Sequence, residues 1–436
     1  MNAIAPQNAP CSALPTIDLP DCRIFPQQLT RAAALIDQIR EQGQASDRVL
    51  HQAFRAERKL GKRDRLILQT LVFFVLRHWR LLDTLLAPNP TSTLGRLGMA
   101  LKCAGRLDER LSELTGVDTA VIASPLVMAA DPVPALGMQF SLSDADSRRL
   151  IEAFGDAAAA VATALLERAP TDLRVNVGGG TRDEVLADLA STGIRGTPIP
   201  GLPLGIRIHD SAALTGLPSY RAGAFEIQDA GSQWITAACQ AAEGQHVLDL
   251  CAGAGGKSLG LAQAVGTRGR ILACDVDADR LARLPERSRR AGLNNIECLP
   301  IVSGKDPALT QRAPFDRVLV DAPCSGSGTF RRHPELKQAD IDLAALCTTQ
   351  SRLLDEGAML TRPGGLLVYA TCSLWREENE VQVMAFLARH PNWRLTALPE
   401  EISRHVETDP NGMARLRPDR QGSDGFFFAV LAAPRD

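Results

Sequence analysis

The sequence predicts an α/β protein: a Rossmann-like parallel sheet wrapped by helices, preceded by an all-α region and a small α+β module. Three observations carry this. From about residue 224 onward short apolar runs alternate with helical stretches, the order that specifies a parallel sheet with helical crossovers. Between about 26 and 145, apolar residues recur every three or four positions without strand punctuation, as in packed helices. A chain of 436 residues also exceeds what one hydrophobic core ordinarily serves, so two or three domains are expected.

Residues 1–25 lack a basic start and a continuous apolar run and are poor in arginine, so they read as a flexible tail rather than a signal or transit peptide. The stretches LTRAAALIDQIREQ (29–42), SDRVLHQAFRAERKL (46–60) and DRLILQTLVFFVLRHWRLLDTLL (64–86) read as helices, with loops at Pro88, Pro125 and Pro132. A module over 146–223 opens with the alanine-rich helix of 144–168. It continues with the strand LRVNV (173–177), a helix RDEVLADLASTGI capped by Thr181, and a short strand near 205–208. Within 224–436 the strands are HVLDL, RILACD, IECLPI, DRVLVDAP and GLLVYATCS. A long helix ending near Leu360 separates the last two.

Composition narrows the function classes. Hydrophobic residues make up 45% and charged residues 22%, and no apolar run approaches the ~20 residues a bilayer crossing needs. Ten cysteines scattered through a chain without a signal peptide read as reduced thiols in a cytoplasmic protein. No CxxC pair or CxxC…HxxxH spacing is present, so no structural metal is expected. A net charge of −2 is compatible with nucleic-acid binding only if the cations cluster. They do: Arg55, Arg58, Lys59, Lys62, Arg63 and Arg65 crowd one segment, followed by Arg77 and Arg80, and Arg331, Arg332 and His333 form a second group. Each cluster is either a solvated helix face or a set of phosphate contacts. Nothing in the sequence requires a partner subunit, and a monomer is expected.

The candidate site lies at the carboxyl ends of the strands, where open α/β sheets hold ligands. HVLDL runs into Cys251, Ala252, Gly253, Ala254, Gly255, Gly256 and Lys257, and a helix follows. Such a turn brings backbone amides close to a ligand, although many nucleotide folds share it. Asp275 closes the next strand about twenty residues on, where a carboxylate accepts from a ribose diol. Asp321 ends a later strand and is followed by Ala322, Pro323 and Cys324; GLLVYA delivers Thr371, Cys372 and Ser373. A single buried cysteine is usually an inert small hydrophobe. Two at strand ends on the ligand edge suggest thiol chemistry.

The strings DLCAGAGGKS (249–258), DVD (275–277), DAPCSGSGTFRRHPELK (321–337), YATCSLWREENE (369–380) and DGFFFA (424–429) together resemble the Sun/Fmu (RsmB-type, NSUN-related) family of RNA cytosine-5 methyltransferases. RAPTDLRVN (168–176) and FEIQDAGSQ (225–233) extend the resemblance over more than half the chain. The resemblance implies S-adenosyl-L-methionine as cofactor, held by the 251–257 loop, Asp275 and Asp321. It also implies Cys372 as the nucleophile that adds to cytosine C6, with Cys324 assisting product release. Lys257 sits where it can reach the reaction centre, and Asp321 where it can meet the base at N3 or the exocyclic amine. The helical front region is similar to the NusB-like RNA-binding domain of the bacterial B-type enzymes, which favours small-subunit (16S) ribosomal RNA over transfer RNA. The second basic cluster then reads as RNA-binding, with exposed guanidiniums at Arg331 and Arg332.

The chain departs from the family pattern in three places. Alanine (Ala254) stands where proline is common, and Gln338 where tryptophan is. Ile301, Val302 and Ser303 follow the third strand, without the acidic residue expected there. Two other readings remain. An amino-methyltransferase would show an Asn/Asp-Pro-Pro-aromatic string where this chain has DAPC, and a ribosome-assembly RNA-binding factor would not need Cys372, Cys324, Asp321 and Lys257 together.

Overall fold

The computed structural model describes residues 15–57, 59–88, 91–120, 130–210 and 212–435. They form two compact units: one runs up to Leu166 and includes Phe330–Asp340, and the other comprises Glu167–Thr329 and the chain from Ile341 onward. Among the described residues no helix is long and apolar enough to cross a membrane.

The first unit is helical, with helices at Pro26–Gln42, Ser46–Ala56, Lys62–Arg77, Trp79–Leu86 and Thr93–Cys103. Leu29, Ile36, Leu68, Leu71, Leu97 and Leu101 project from them into one core, each worth about 1.5–3 kcal/mol when fully buried. The expected tail is shorter than read from sequence. Ile24 is buried in this core and Ile17, Leu19 and Cys22 pack against it, because apolar side chains spaced two to three apart can dock without forming a periodic element. Residues 1–14, Arg58 and Pro125 lie outside the described residues.

The helix expected over 64–86 is two helices that break at His78, whose φ of −112° and ψ of 23° leave the helical region. The cause is the 330–340 segment of the same unit. Lys337 Nζ donates to the carbonyls of Arg77 (3.3 Å) and Phe140 (3.1 Å), and Gln338 Nε2 to that of Leu76 (3.4 Å). The last carbonyls of a helix have no intrahelical donor, and an ammonium there also meets the negative end of the helix dipole. The helices Asp144–Phe154 and Ala158–Leu166, expected with the small module, pack in this unit. Helical periodicity identifies a buried stripe but not the neighbour that buries it.

The second unit holds two sheets. In the smaller, β1 (Thr171–Val175), β2 (Gly196–Pro198), β3 (Gly205–Ile208) and β4 (Phe225–Ile227) lie antiparallel in the order β2-β3-β1-β4. The helix Arg182–Ser191 is capped by Thr181 as expected, and Glu184 completes a capping box with it. Strand β4, assigned from sequence to the catalytic region, completes this sheet by pairing with β1.

The larger sheet is built from β5 (His246–Asp249), β6 (Arg270–Asp275), β7 (Ile296–Pro300), β8 (Phe315–Asp321) and β9 (Thr361–Thr371), parallel in the order β7-β6-β5-β8-β9. Strand β10 (Arg394–Leu395) and β11 (Glu407–Thr408), β12 (Ala414–Leu416) and β13 (Phe426–Ala432) extend it antiparallel beyond β9. Val247, Leu248, Val318, Leu319, Leu367 and Val368 are buried, the near-continuous apolar composition of strands covered on both faces. The chain moves outward from β5 to β7 and returns to β8 beside β5. That reversal opens a crevice at the carboxyl ends of β5 and β8.

Candidate active site

The turn after β5 is shaped by glycines that no other residue replaces. Gly253 and Gly255 have φ of +53° and +81°, a region that costs an L-residue about 1–2 kcal/mol. A Cβ on Gly255 would sit 2.2 Å from Leu284 Cδ1. The outer side of the loop is fixed by Arg287, whose Nη1 donates to the Ala254 carbonyl at 2.5 Å, and Arg287 is itself paired with buried Glu226. The Gly256 carbonyl at the start of the next helix accepts from Arg174 Nη1 and Gln228 Nε2, both at 3.1 Å. Sequence reading did not find these three supports, because each is distant in the chain.

Three carboxylates converge on the crevice. Asp275, buried at the end of β6, accepts from the amides of Gly253 (2.6 Å) and Asp277 (2.8 Å), which ties it to the glycine turn. Asp321, at the end of β8, accepts from Lys257 Nζ at 2.7 Å. Burial alone lowers the Lys257 ammonium, but the adjacent Asp321 charge and hydrogen bond outweigh it and raise the pKa. Asp249 is the third. Its Oδ2 accepts from Ser258 Oγ at 2.6 Å, while its buried Oδ1 has no partner. Burial, reinforced by the nearby charge of Asp321, pushes its carboxyl up to about 7.

An orphaned buried acceptor, a glycine cradle and a fixed carboxylate fit a nucleoside-containing cofactor with a cationic portion. After β7 no acid follows directly. The carboxylate of Asp306 caps its own short helix through the Ala308 amide (2.9 Å), and buried Glu356 from the helix Leu343–Leu360 accepts from the Gly304 amide (2.9 Å). Glu356 lies more than fifty positions from this turn, so no local pattern could signal it.

The two cysteines meet. Cys324 Sγ and Cys372 Sγ are 3.3 Å apart, held by backbone bonds from the Ala322 amide to the Ala370 carbonyl (2.8 Å) and from the Gly328 amide to the Cys372 carbonyl (3.0 Å). The hydrogen bond to Cys372, then burial, then the charges of Cys372 and Glu378 push the Cys324 thiol up, so it stays protonated as a donor toward Cys372. Cys251, by contrast, is pushed up mainly by burial and packs against the hydrophobic core. Each described cysteine is free of disulfide bonding, and among the described residues no group of three or more metal-ligating side chains exists.

The second basic cluster departs from expectation. Arg331 is 2% exposed rather than open to solvent, and its carbonyl accepts from Arg77 Nη2 at 3.0 Å. Arg332 is half-buried, and His333 Nδ1 faces Glu335 at 3.4 Å, which in turn accepts from the Ser46 amide at 3.1 Å. Of this run only Arg331 is buried in the helical unit. In the first cluster Arg55, Lys59, Lys62 and Arg63 are exposed. Arg65 and Arg80 donate to the carbonyls of Leu60 and Leu142.

Comparison with known proteins adds an independent observation. Residues 236–432 match the family described as 16S rRNA methyltransferase RsmB/F, and residues 147–215 match the ferredoxin-like domain of RsmF/B-like methyltransferases. The chain is 33% identical over 430 residues to the ribosomal RNA small subunit methyltransferase B of Salmonella arizonae, covering 92% of this chain and 97% of that protein. A methyltransferase homolog protein from Pyrococcus horikoshii superposes with a TM-score of 0.60 at 28% identity, covering 70% of this chain and 100% of the other. The crystal structure of PH0851 shares the fold over 94% of this chain and 99% of its own, with a TM-score of 0.76 at 23% identity.

Proposed function

The chain belongs to the RsmB/F family of 16S ribosomal RNA methyltransferases, and on that premise we propose that it methylates C5 of a cytosine in small-subunit ribosomal RNA through a covalent Cys372 adduct. Its cofactor is S-adenosyl-L-methionine, which supplies a methyl group activated on a sulfonium. The 251–257 turn, Asp249, Asp275 and the Lys257–Asp321 pair are the residues that would hold it. The observation that carries the proposal is the 3.3 Å approach of Cys324 and Cys372 at the ends of β8 and β9, on the crevice edge that also presents Asp321.

Cytosine C5 is a weak nucleophile. Addition of the Cys372 sulfur to C6 breaks the C5–C6 double bond and moves electron density onto C5, where the methyl group is accepted. Asp321, paired with Lys257, receives a hydrogen bond from the exocyclic amine of cytosine and orients the ring. Loss of the C5 proton to a base then re-forms the double bond and expels the Cys372 thiolate. Cys324 serves this stage: its thiol passes its proton to the departing Cys372 sulfur, 3.3 Å away, as its own sulfur takes the C5 proton.

The target base must leave its stack to reach these groups. In this reading the exposed Arg55, Lys59, Lys62 and Arg63 face phosphates, the helical unit is an RNA-binding domain, and the protein works as a cytoplasmic monomer. The buried Arg331 supports the protein's own packing, leaving Arg332 and His333 as the cluster's candidates for RNA contact.

The test is incubation of wild type, Cys372→Ala and Cys324→Ala with small-subunit ribosomal RNA and methyl-labelled cofactor. Loss of label in Cys372→Ala and accumulation of protein-linked RNA in Cys324→Ala are expected. Methylation of C5 by Cys372→Ala would remove the nucleophile assignment. Label on a ring atom other than C5 would remove the reaction itself.

A further inference from the structure

The string that closes the nucleophile region, WREENE, contains a carboxylate that none of the steps above uses. Glu378 is fully buried, at 0% exposure. Its Oε1 accepts from the Ser325 amide at 2.8 Å and from Gln350 Nε2 at 3.0 Å. Its Oε2 accepts from Ser325 Oγ at 2.5 Å and from Ser373 Oγ. Ser325 follows Cys324 and Ser373 follows Cys372, so one carboxylate holds the residue after each cysteine. Gln350 adds a third tie through the Pro323 carbonyl (2.9 Å), the residue before Cys324. Asn379 completes the arrangement on the β9 side, accepting from Thr371 Oγ1 (2.6 Å) and donating to the Ser373 carbonyl (2.9 Å).

Burying a carboxylate costs several kcal/mol unless donors surround it. An apolar side chain would fill the space without that cost, so stability alone does not account for a glutamate here. A charge-assisted acceptor does hold two loops in fixed geometry more stiffly than neutral groups do. We propose that Glu378 is a positioning residue of the two-cysteine reaction: it clamps the Cys324 and Cys372 loops so that the two sulfurs stay within reach of one base. This rests on the cytosine-5 reading of the same site. The residue touches neither substrate nor cofactor in the proposal; it acts through Ser325 and Ser373. Its negative charge has a second effect, since it is among the causes that keep Cys324 protonated. The other groups facing the pair are Cys372 itself, Tyr369 from β9 and the Lys257–Asp321 pair beside Cys372.

The test uses the full-length protein and four variants, Glu378→Ala, Glu378→Gln, Ser325→Ala and Ser373→Ala, with two readouts. The first is single-turnover methyl transfer together with the affinity for S-adenosylhomocysteine. Glu378→Ala is expected to slow transfer by about 100-fold, the loss that an ångström-scale misplacement brings, with cofactor-product affinity changed by less than about twofold. Ser325→Ala and Ser373→Ala, which each remove one tie, should fall between it and wild type. Glu378→Gln should recover much of the rate, because its amide keeps one acceptor while the serine hydroxyls rotate to accept from its NH₂.

The second readout needs no methyl transfer. Diamide, a two-electron oxidant that takes one hydrogen from each thiol, joins neighbouring cysteines as a disulfide. The rate of Cys324–Cys372 disulfide formation, followed by peptide mass spectrometry, should fall at least about tenfold in Glu378→Ala, since a sulfur that drifts an ångström from its partner loses reactive geometry. Equal cross-linking rates in wild type and a folded Glu378→Ala overturn the clamp, even if the cytosine reaction stands. Slower cross-linking in a protein whose wild type never methylates C5 retains the clamp and removes the reaction. If Glu378→Ala does not fold, the two serine variants decide by the same readouts: wild-type rates in both overturn the proposal.

Discussion

Lys337 sits at the junction of sequence, packing and charge, and its titration gives a measurable consequence. Burial, with the charge of Arg77, lowers its ammonium from 10.5 to about 7, against a smaller opposing pull from Asp146. The folded value lies below the unfolded one, so between pH 7 and 10.5 the unfolded chain binds the extra proton. Stability must therefore rise with pH across that window, at about 1.4 kcal/mol per pH step and about 5 kcal/mol in all. Below pH 7 both states carry the proton and the full penalty is present. Lys337→Met removes the titration and also the donor to the carbonyls of Arg77 and Phe140, a loss of about 1–3 kcal/mol for each.

The variant should accordingly be near wild type in stability at pH 7 and several kcal/mol less stable at pH 9. Chemical denaturation of both proteins at pH 7, 8 and 9, read by a probe in the helical unit, measures the difference. From pH 7 to 9 wild type should gain about 3 kcal/mol on the variant. Parallel stability curves over that range would refute the reasoning, because they would mean that the ammonium is not held in a desolvated site.

Other outcomes follow from single side chains. Gly255→Ala forces a Cβ to 2.2 Å from Leu284 Cδ1 at φ +81°; with about 2–4 kcal/mol of strain, calorimetric titration should show at least a tenfold weaker affinity for S-adenosylhomocysteine, and an unchanged affinity would count against the cradle. Asp172→Ala strips Arg207 of its two-pronged partner at 2.8 and 2.9 Å and Ala230 of a buried acceptor at 3.0 Å; denaturation should show a loss of about 3–5 kcal/mol, partly recovered in the Asp172→Ala/Arg207→Met double variant. Asp249 has a folded value of about 7 against 3.8 unfolded, so the fold binds the extra proton and wild type loses stability as pH rises from about 4 to 7, by about 4 kcal/mol. Asp249→Asn should lack that slope in the same experiment.

Local sequence determined the parts of this protein that depend on periodicity and turn chemistry. The strands HVLDL, RILACD, DRVLVD and GLLVYAT are where alternation and apolar runs place them, because a strand buried on both faces has few compositions open to it. The glycine turn, Asp275 and the two cysteines were legible for the same reason: each closes a strand of a parallel sheet, and parallel strands deliver their carboxyl ends to one edge. Tertiary structure decided what depends on neighbours remote in the chain. Whether the helix at 62–86 continues or breaks is decided by donors arriving from Lys337 and Gln338. Whether Arg331 faces solvent is decided by the unit that surrounds it, and the pairing of the Cys324 and Cys372 loops by Glu378, Gln350 and Asn379. Periodicity records that a side chain is buried, whereas the identity of its partner is a property of the folded chain, set by contacts that loop closure permits at almost any sequence distance.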